Sequence, residues 1–486
     1  MNWHAQLADN DLTSLPSVYL VGIKGVGMAA LAVLLKEAGV PQVSGADTPE
    51  EFVTDDLLKK YALPVTHFDQ AKLPSGVGAV IYSGAHQGEN NPLVIEAKSR
   101  SVPVFSLAQA VGLLSTCKET IAVCGVGGKS TTSALLSWIF EKAGQNPSFA
   151  VGVGDIPNFG TTARWVPQTK LFVIEADEYV ADPQADKTPR FLYLRPSHAI
   201  CTSLTFDHPD VYHSDSDTRE AFRYFFQLLP DTAHLVIQGD DESLVRLAQE
   251  SGKNLITVGE SESLDIHLRN WSVQNGVGRV ELISNRGLLG ETPRVLEMQI
   301  PGRHNLRNAA YAAVLAYQFG VSWEVIAQAV KSFQGVQRRF EFKGKIANGV
   351  LGYDDYAHHP REIAAIAQTL KEWFPDQPVV VAFEPHTFSR TQVLWNEFIE
   401  AFQNFSPGTR ILLLPIFASA REKEDPDTSS QDLVMALQAK GCAAEYIRDY
   451  QELLHYTQQL TPGTVFITMG AGTIYKVFDY ANHHQA

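Results

Sequence analysis

The chain has 486 residues, 45% of them hydrophobic and 19% charged, and its 39 basic residues stand against 54 acidic ones for a formal net charge of −15. At about 150 residues per domain that length suggests roughly three domains, and the acidic balance disfavours a nucleic-acid binder held by phosphate neutralisation. No run approaches the ~18 apolar residues of a membrane span, no basic, apolar leader opens the sequence, and the four cysteines form no CxxC or Cys/His spacing, so the expectation is a reduced, cytoplasmic protein without membrane or zinc contacts.

The first predicted strand covers 18–21 and runs into the turn Gly22-Ile-Lys-Gly25-Val-Gly27, which opens a helix from Met28 to Gly39. Further strands are expected at 42–44, ending on Gly45-Ala-Asp47, and at 79–82. A glycine turn between strand and helix suits a pyrophosphate resting on the helix N-terminus, with Asp47, about twenty residues on, as a candidate ribose partner. The spacing is Gly-x-x-Gly-x-Gly rather than Gly-x-Gly-x-x-Gly, which argues for a pyrophosphate outside NAD.

A second block begins with the apolar run 120–124, the loop Gly125-Val-Gly-Gly-Lys-Ser-Thr-Thr132 and a helix from Ser133. Such a loop turns backbone N–H groups inward around phosphates, with Lys129 reaching the outer phosphates and Ser130 available to magnesium. Only two residues separate Gly125 from Gly128-Lys129, where the usual P-loop has four. Strands are expected at 171–174, 198–201 and 234–237, and helices after Asn305 and around Val325. The first of these strands ends on Glu175-Ala-Asp177-Glu178 and the second leads to Asp207-His208, and carboxylates at the sheet edge beside a phosphate loop suit magnesium.

The third block starts after Gly335-Val-Gln-Arg-Arg-Phe340 and carries strands at 379–382, 411–414 and 465–468. Alternation of apolar strands, glycine turns and amphipathic stretches in all three blocks gives an α/β fold class, with three doubly wound units in series. The expected divisions are 1–116, 117–335 and 336–486.

With Gly125–Thr132, Glu175–Glu178, Asp207-His208, Gly302-Arg-His-Asn305-Leu-Arg-Asn308, Arg338-Arg339-Phe340 and Asp354-Asp-Tyr-Ala-His-His-Pro360 in this order, the chain resembles the Mur ligases over almost its whole length. The shortened phosphate loop matches that family's form. The resemblance implies a Rossmann-like N-terminal domain for a UDP-sugar, a central P-loop ATPase domain and a Rossmann-like C-terminal domain for the incoming amine. It implies ATP and magnesium as cofactors, and a carboxylate activated as an acyl phosphate before an amino group attacks it. Gly22-Ile-Lys-Gly-Val-Gly27-Met28, Pro385-His386-Thr-Phe-Ser-Arg390, Ile416–Glu422 and Met469–Gly472 look like the branch that joins L-alanine to UDP-N-acetylmuramate. Glu178-Tyr179, Arg195-Pro196 and Phe206–Asp210 look more like the branch that attaches a murein tripeptide to the same sugar nucleotide, which stands as the alternative.

The resemblance assigns residues accordingly. Gly125, Gly127, Gly128, Lys129, Ser130, Thr131, Asn305, Asn308, Arg339 and Asp355 would bind ATP, and Ser130, Glu175 and His208 would hold magnesium. Lys129, Glu175, His208, Arg339 and Asp355 would carry catalysis, mainly by positioning and charge stabilisation. Gly22, Gly25, Val26, Gly27, Asp47 and Ser83 would bind the UDP-sugar, and His358, His386 and Arg390 the amino acid, whose carboxylate suits a guanidinium. Ser203 departs from the family's usual Asn, leaving an amide contact to be made by other means. A monomer or weak homodimer is expected. A nicotinamide-dependent nucleotide-sugar dehydrogenase is the rival class, and it leaves the second block's phosphate loop without a role.

Overall fold

The computed structural model describes residues 7, 11–206, 211–346, 349–418 and 428–483. His208 and its neighbour Asp207, and positions 419–422 of the segment expected in the third block, lie outside the described residues. The chain forms two compact units, one made of 1–272, 279–298 and 305–336, the other of 273–278, 299–304 and 337–486.

The first unit contains two sheets. Strands β1 (Ser17–Val21), β2 (Gln42–Asp47), β3 (Val65–His67), β4 (Ala79–Tyr82) and β5 (Val104–Ser106) pair in parallel in the order β3-β2-β1-β4-β5. Both faces are apolar, as a parallel sheet covered on two sides requires. Val18, Leu20, Ala79 and Ile81 pack with the helix Val26–Glu37, while Tyr19, Val21, Val80 and Tyr82 pack with the helix Pro92–Ser99. The short strands β3 and β5 were not expected, because three residues are too few to show a period.

The second sheet is built on β6 (Glu119–Cys124), β7 (Ser148–Ala150), β8 (Ala163–Arg164), β9 (Leu171–Glu175), β12 (His198–Cys201), β13 (His234–Gln238), β14 (Asn254–Gly259), β15 (Ile266–Gln274), β16 (Val277–Ser284) and β17 (Arg294–Met298). Its order is β17-β16-β15-β14-β13-β12-β6-β9-β7-β8, parallel through its centre. Register pairs Cys124 of β6 with Cys201 of β12, and both thiols are buried. A separate antiparallel hairpin, β10 (Val180–Asp182) and β11 (Asp186–Pro189), follows β9.

The second unit holds β18 (Glu341–Ile346), β19 (Val350–Asp355), β20 (Val379–Phe383), β21 (Arg410–Leu413), β22 (Ala443–Tyr446) and β23 (Val465–Met469) in the order β18-β19-β23-β20-β21-β22. Only β18 runs antiparallel among the pairings of this sheet. Val381, Phe383, Ile467 and Met469 pack on one face, and Val380, Ala382, Leu412 and Phe466 on the other. The chain therefore presents three α/β sheets in series, and Gly22, Gly125, Glu175, Asp355 and His386 sit at or just past the C-terminal ends of parallel strands, where open sheets bind ligands.

Candidate active site

The central phosphate loop joins β6 to the helix Lys129–Lys142. Gly125 has φ +123° and Gly128 φ +82°, conformations that a side chain would strain. Space is equally restrictive, since a Cβ on Gly125 would stand 2.8 Å from the Ser203 nitrogen and one on Gly128 would stand 2.5 Å from Asn308 Oδ1. Gly127 faces open space. Its N–H donates to Ser203 Oγ at 3.1 Å, and its carbonyl accepts from the Thr202 hydroxyl. Ser203 thus supplies a hydroxyl acceptor to the loop.

At the helix start, Lys129 Nζ donates to both carboxylate oxygens of Glu178, at 3.0 and 2.7 Å. Burial alone would depress the lysine, but Glu178, Asp177 and Glu175 outweigh it and hold its pKa above the ordinary value. The Tyr212 hydroxyl donates to the Glu178 carbonyl at 2.6 Å, which fixes that residue from behind. Ser130 Oγ lies 3.1 and 3.0 Å from the two oxygens of Glu175, and Glu175 Oε2 accepts the Gly152 N–H at 2.9 Å. Asp177 pairs with Arg190 at 2.7 Å. A hydroxyl and a carboxylate held together at the strand end are hard oxygen donors that fit magnesium. Thr131 is buried in the first turn of this loop's helix, and Asn305 at the start of the helix Arg303–Gln318.

On the first sheet the turn after β1 is held by the Gly22 N–H, which donates to the Ala46 carbonyl at 2.8 Å. Gly22 has φ +86°, and a Cβ there would lie 2.6 Å from Ser83 Oγ. Gly25 caps the helix that Val26 and Gly27 begin. Asp47 is fully buried, accepting from Lys24 N at 2.6 Å and Thr48 N at 2.8 Å, so it shapes the turn from inside.

In the second unit, Asp355 ends β19 and accepts the Phe340 and Ala357 N–H groups, each at 2.7 Å. Burial raises its carboxyl pKa to about 6 against the opposing pull of Arg339. Of the Arg pair, Arg338 is the buried member, with φ +63°, donating to Asp354 at 3.1 Å and to the Gly472 carbonyl at 3.0 Å. Arg339 faces Glu362 at 3.9 Å and lies over the Tyr356 ring. His386 follows β20 and stacks on Phe417, with Arg390 Nη1 3.4 Å from its Nδ1. The His358 ring lies 6.1 Å from that of His386, and burial holds its pKa below the usual histidine value. These three residues form one polar cluster.

Three family models match in chain order: the Mur ligase family, catalytic domain over 17–118, the Mur ligase middle domain over 123–316, and the Mur ligase, glutamate ligase domain over 338–472. The UDP-N-acetylmuramate–L-alanine ligase of Desulfitobacterium hafniense is 34% identical over 461 residues, covering 95% of this chain and 98% of that protein. The chain belongs to the Mur ligase family. The ligase of the same name from Lawsonia intracellularis is 34% identical over 467 residues, covering 95% and 97% of the two chains. Among solved structures, this Mur ligase matches the UDP-N-acetylmuramate-alanine ligase of Thermotoga maritima with TM-score 0.78 and 23% identity over 96% of this chain and 99% of that one. A murein peptide ligase from Psychrobacter arcticus matches with TM-score 0.65 and 20% identity over 96% and 98%. These structural likenesses establish the fold.

Several residues of this Mur ligase were not anticipated from sequence. Glu362 accepts the His358 N–H at 2.9 Å and the His359 N–H at 3.1 Å, and it closes a capping box with His359 at the helix Pro360–Trp373. His359-Pro360 followed by Glu362 carries the signal, a proline at the first helical position and a glutamate at the third. Glu384, buried after β20, accepts the Thr473 N–H at 2.8 Å and the Tyr450 hydroxyl, and so anchors the loop after β23. Nothing local in the sequence marks it, because its partners lie far along the chain.

Proposed function

We propose that this Mur ligase uses ATP to join the lactoyl carboxylate of UDP-N-acetylmuramate to the amino group of L-alanine. The observation that carries the reading is the arrangement of Lys129 and Ser130 against Glu178 and Glu175, in a chain 34% identical to an alanine-adding ligase across nearly its full length. On this reading 1–116 takes the sugar nucleotide, 117–335 the ATP and 336–486 the amino acid.

Lys129 binds the outer phosphates, and the N–H groups of Gly128 to Ser130 close around them at the helix N-terminus. Ser130 and Glu175 are the groups that would hold magnesium, with His208 as a third. When bound, the metal supplies positive charge beside the reacting phosphate oxygens. Asn308, set against Gly128, and Asn305 bound the nucleotide side of the loop. The carboxylate of the sugar attacks the γ-phosphate, ADP leaves, and the resulting acyl phosphate loses phosphate when the amine attacks its carbonyl. No protein nucleophile is required, so the contribution of these side chains is orientation and charge. In the second unit Arg390, backed by His386 and His358, binds the carboxylate of the free amino acid by a two-point contact.

Phosphate release from ATP in the presence of UDP-N-acetylmuramate tests the reading, with L-alanine and the tripeptide L-alanyl-γ-D-glutamyl-meso-diaminopimelate offered separately. Release with L-alanine is expected. Release with the tripeptide alone would transfer the assignment to the recycling branch.

A further inference from the structure

His86, Gln87 and Gly88 are three consecutive residues with left-handed backbone, at φ +51°, +71° and +53°. Side-chain-bearing residues enter that region singly, and a run of them persists only where the surroundings hold it. Within the loop, Asn91 Nδ2 donates to the His86 carbonyl at 3.0 Å. The other restraint arrives from the hairpin β10–β11. Its Asp182 is fully buried, with Oδ2 accepting the Glu89 N–H at 3.0 Å and Oδ1 accepting Gln184 N at 2.9 Å and Ala185 N at 3.3 Å. The fit leaves no slack. A Cβ on Gly84 would stand 2.8 Å from the Ala181 carbonyl oxygen, and one on Gly88 would run into the Asp182 carboxylate.

The opposite side of the loop faces the turn after β1. His86 Cδ2 lies 3.3 Å from where a Gly22 Cβ would stand, and Nε2 is 3.4 Å from Asp47 Oδ1. The ring leans on Phe68 and keeps 30% of its surface exposed. One short segment, 175–182, thus sets Glu175 on Ser130, Glu178 on Lys129 and Asp182 on the loop beside Gly22.

We infer that Asp182 is a positioning residue for the sugar-nucleotide site. By fixing the loop from Ser83 to Glu89 it sets the His86 ring, oriented by Asp47, as the wall against which the diphosphate of the sugar nucleotide rests. The inference builds on the assignment of the Gly22–Gly27 turn to that ligand. Asn at 182 keeps the volume but turns an NH2 group toward one of the N–H donors, so the loop loses a partner.

Calorimetric titration with UDP-N-acetylmuramate, together with steady-state kinetics, tests this on Asp182→Asn, His86→Ala, the double variant and Gly22→Ala. Each single change at 182 or 86 is expected to weaken the sugar nucleotide about tenfold while KM for ATP moves less than about threefold. The double variant should bind no more weakly than the poorer single one, because both act through one ring. A merely architectural Asp182 would lower the melting temperature without splitting the two KM values. Unchanged affinity in Asp182→Asn and His86→Ala, with loss in Gly22→Ala, overturns the inference and leaves the site. Unchanged affinity in all, with the wild type binding, removes the sugar nucleotide from this turn. Should Asp182→Asn fail to fold, His86→Ala decides alone, and wild-type affinity there overturns the inference.

Discussion

Lys129 and Glu178 form a nearly buried ion pair in which one ammonium contacts both carboxylate oxygens, at 3.0 and 2.7 Å. The lysine assigned to ATP phosphates is thus already matched with an anion. Breaking such a pair from one side leaves an uncompensated charge, typically worth about 3–5 kcal/mol of stability.

The loss of Lys129 is therefore expected to affect more than turnover. Lys129→Met should lower activity by at least ~100-fold and also reduce stability by about 3–5 kcal/mol. Adding Glu178→Gln to Lys129→Met should recover most of the stability and none of the activity. Chemical denaturation beside a phosphate-release assay separates the two effects, and full stability in Lys129→Met would show that the pair contributes nothing to the fold.

Ser203 gives Gly127 the hydroxyl acceptor that orients the crest of the phosphate loop. Ser203→Ala should weaken ADP binding by roughly threefold to tenfold, the scale of one net hydrogen bond. Ser203→Asn, whose amide oxygen can accept the same N–H, should retain binding. Fluorescence titration with a labelled ADP reads the difference, and equal affinity in all three proteins would make the contact dispensable.

Arg390 supplies the planar fork in the cluster with His386 and His358. Arg390→Ala should raise KM for L-alanine about tenfold or more, with KM for ATP changed by less than about twofold. Arg390→Lys should recover little of it, because an ammonium lacks the two-point geometry. An unchanged alanine dependence would take Arg390 out of the carboxylate role.

Asp355 has its folded-state pKa raised to about 6 by burial, against an ordinary value of 3.8. A raised pKa means that the folded state holds the proton more firmly than the unfolded one. Its stabilisation is complete below pH 4 and is lost as pH rises through 6, a swing of about 3 kcal/mol. The stability of the wild type minus that of Asp355→Asn should fall over that interval. Urea titrations at pH 4, 5, 6 and 7 check it, and a flat difference would contradict the burial of the charge.

The strands that open the first two blocks and the glycine turns at Gly22 and Gly125 were legible because their signals are local, an apolar run followed by glycine before a helix. The two-residue and three-residue strands β3, β5, β7 and β8 carry no such period, and β14, β19 and the strands β15 to β17 at one end of the central sheet were likewise not foreseen. At the site, Lys129, Ser130 and Glu175 could be placed from the loop and from an acidic strand end. Arg339 was singled out by the family resemblance, whereas the burial of Arg338 had no local signal, since it depends on the carbonyls of Gly470 and Gly472 more than a hundred positions away. The contacts of Asp47 with the backbone N–H groups of Lys24 and Thr48 and with the His86 ring were not legible, because they arise only when the turn after β1 is folded.

Cys124 and Cys201 stand opposite one another on β6 and β12, sealed beneath the loop that starts at Gly125, whereas Cys117 is exposed. A thiol reagent therefore meets Cys117 at once and reaches the inner pair only when the central sheet parts. The slow phase of labelling is a clock for that opening, and a nucleotide seated on the loop should slow it in proportion to how tightly it binds. The protein thus carries its own reporter of how firmly its phosphate site is closed, with no cysteine introduced.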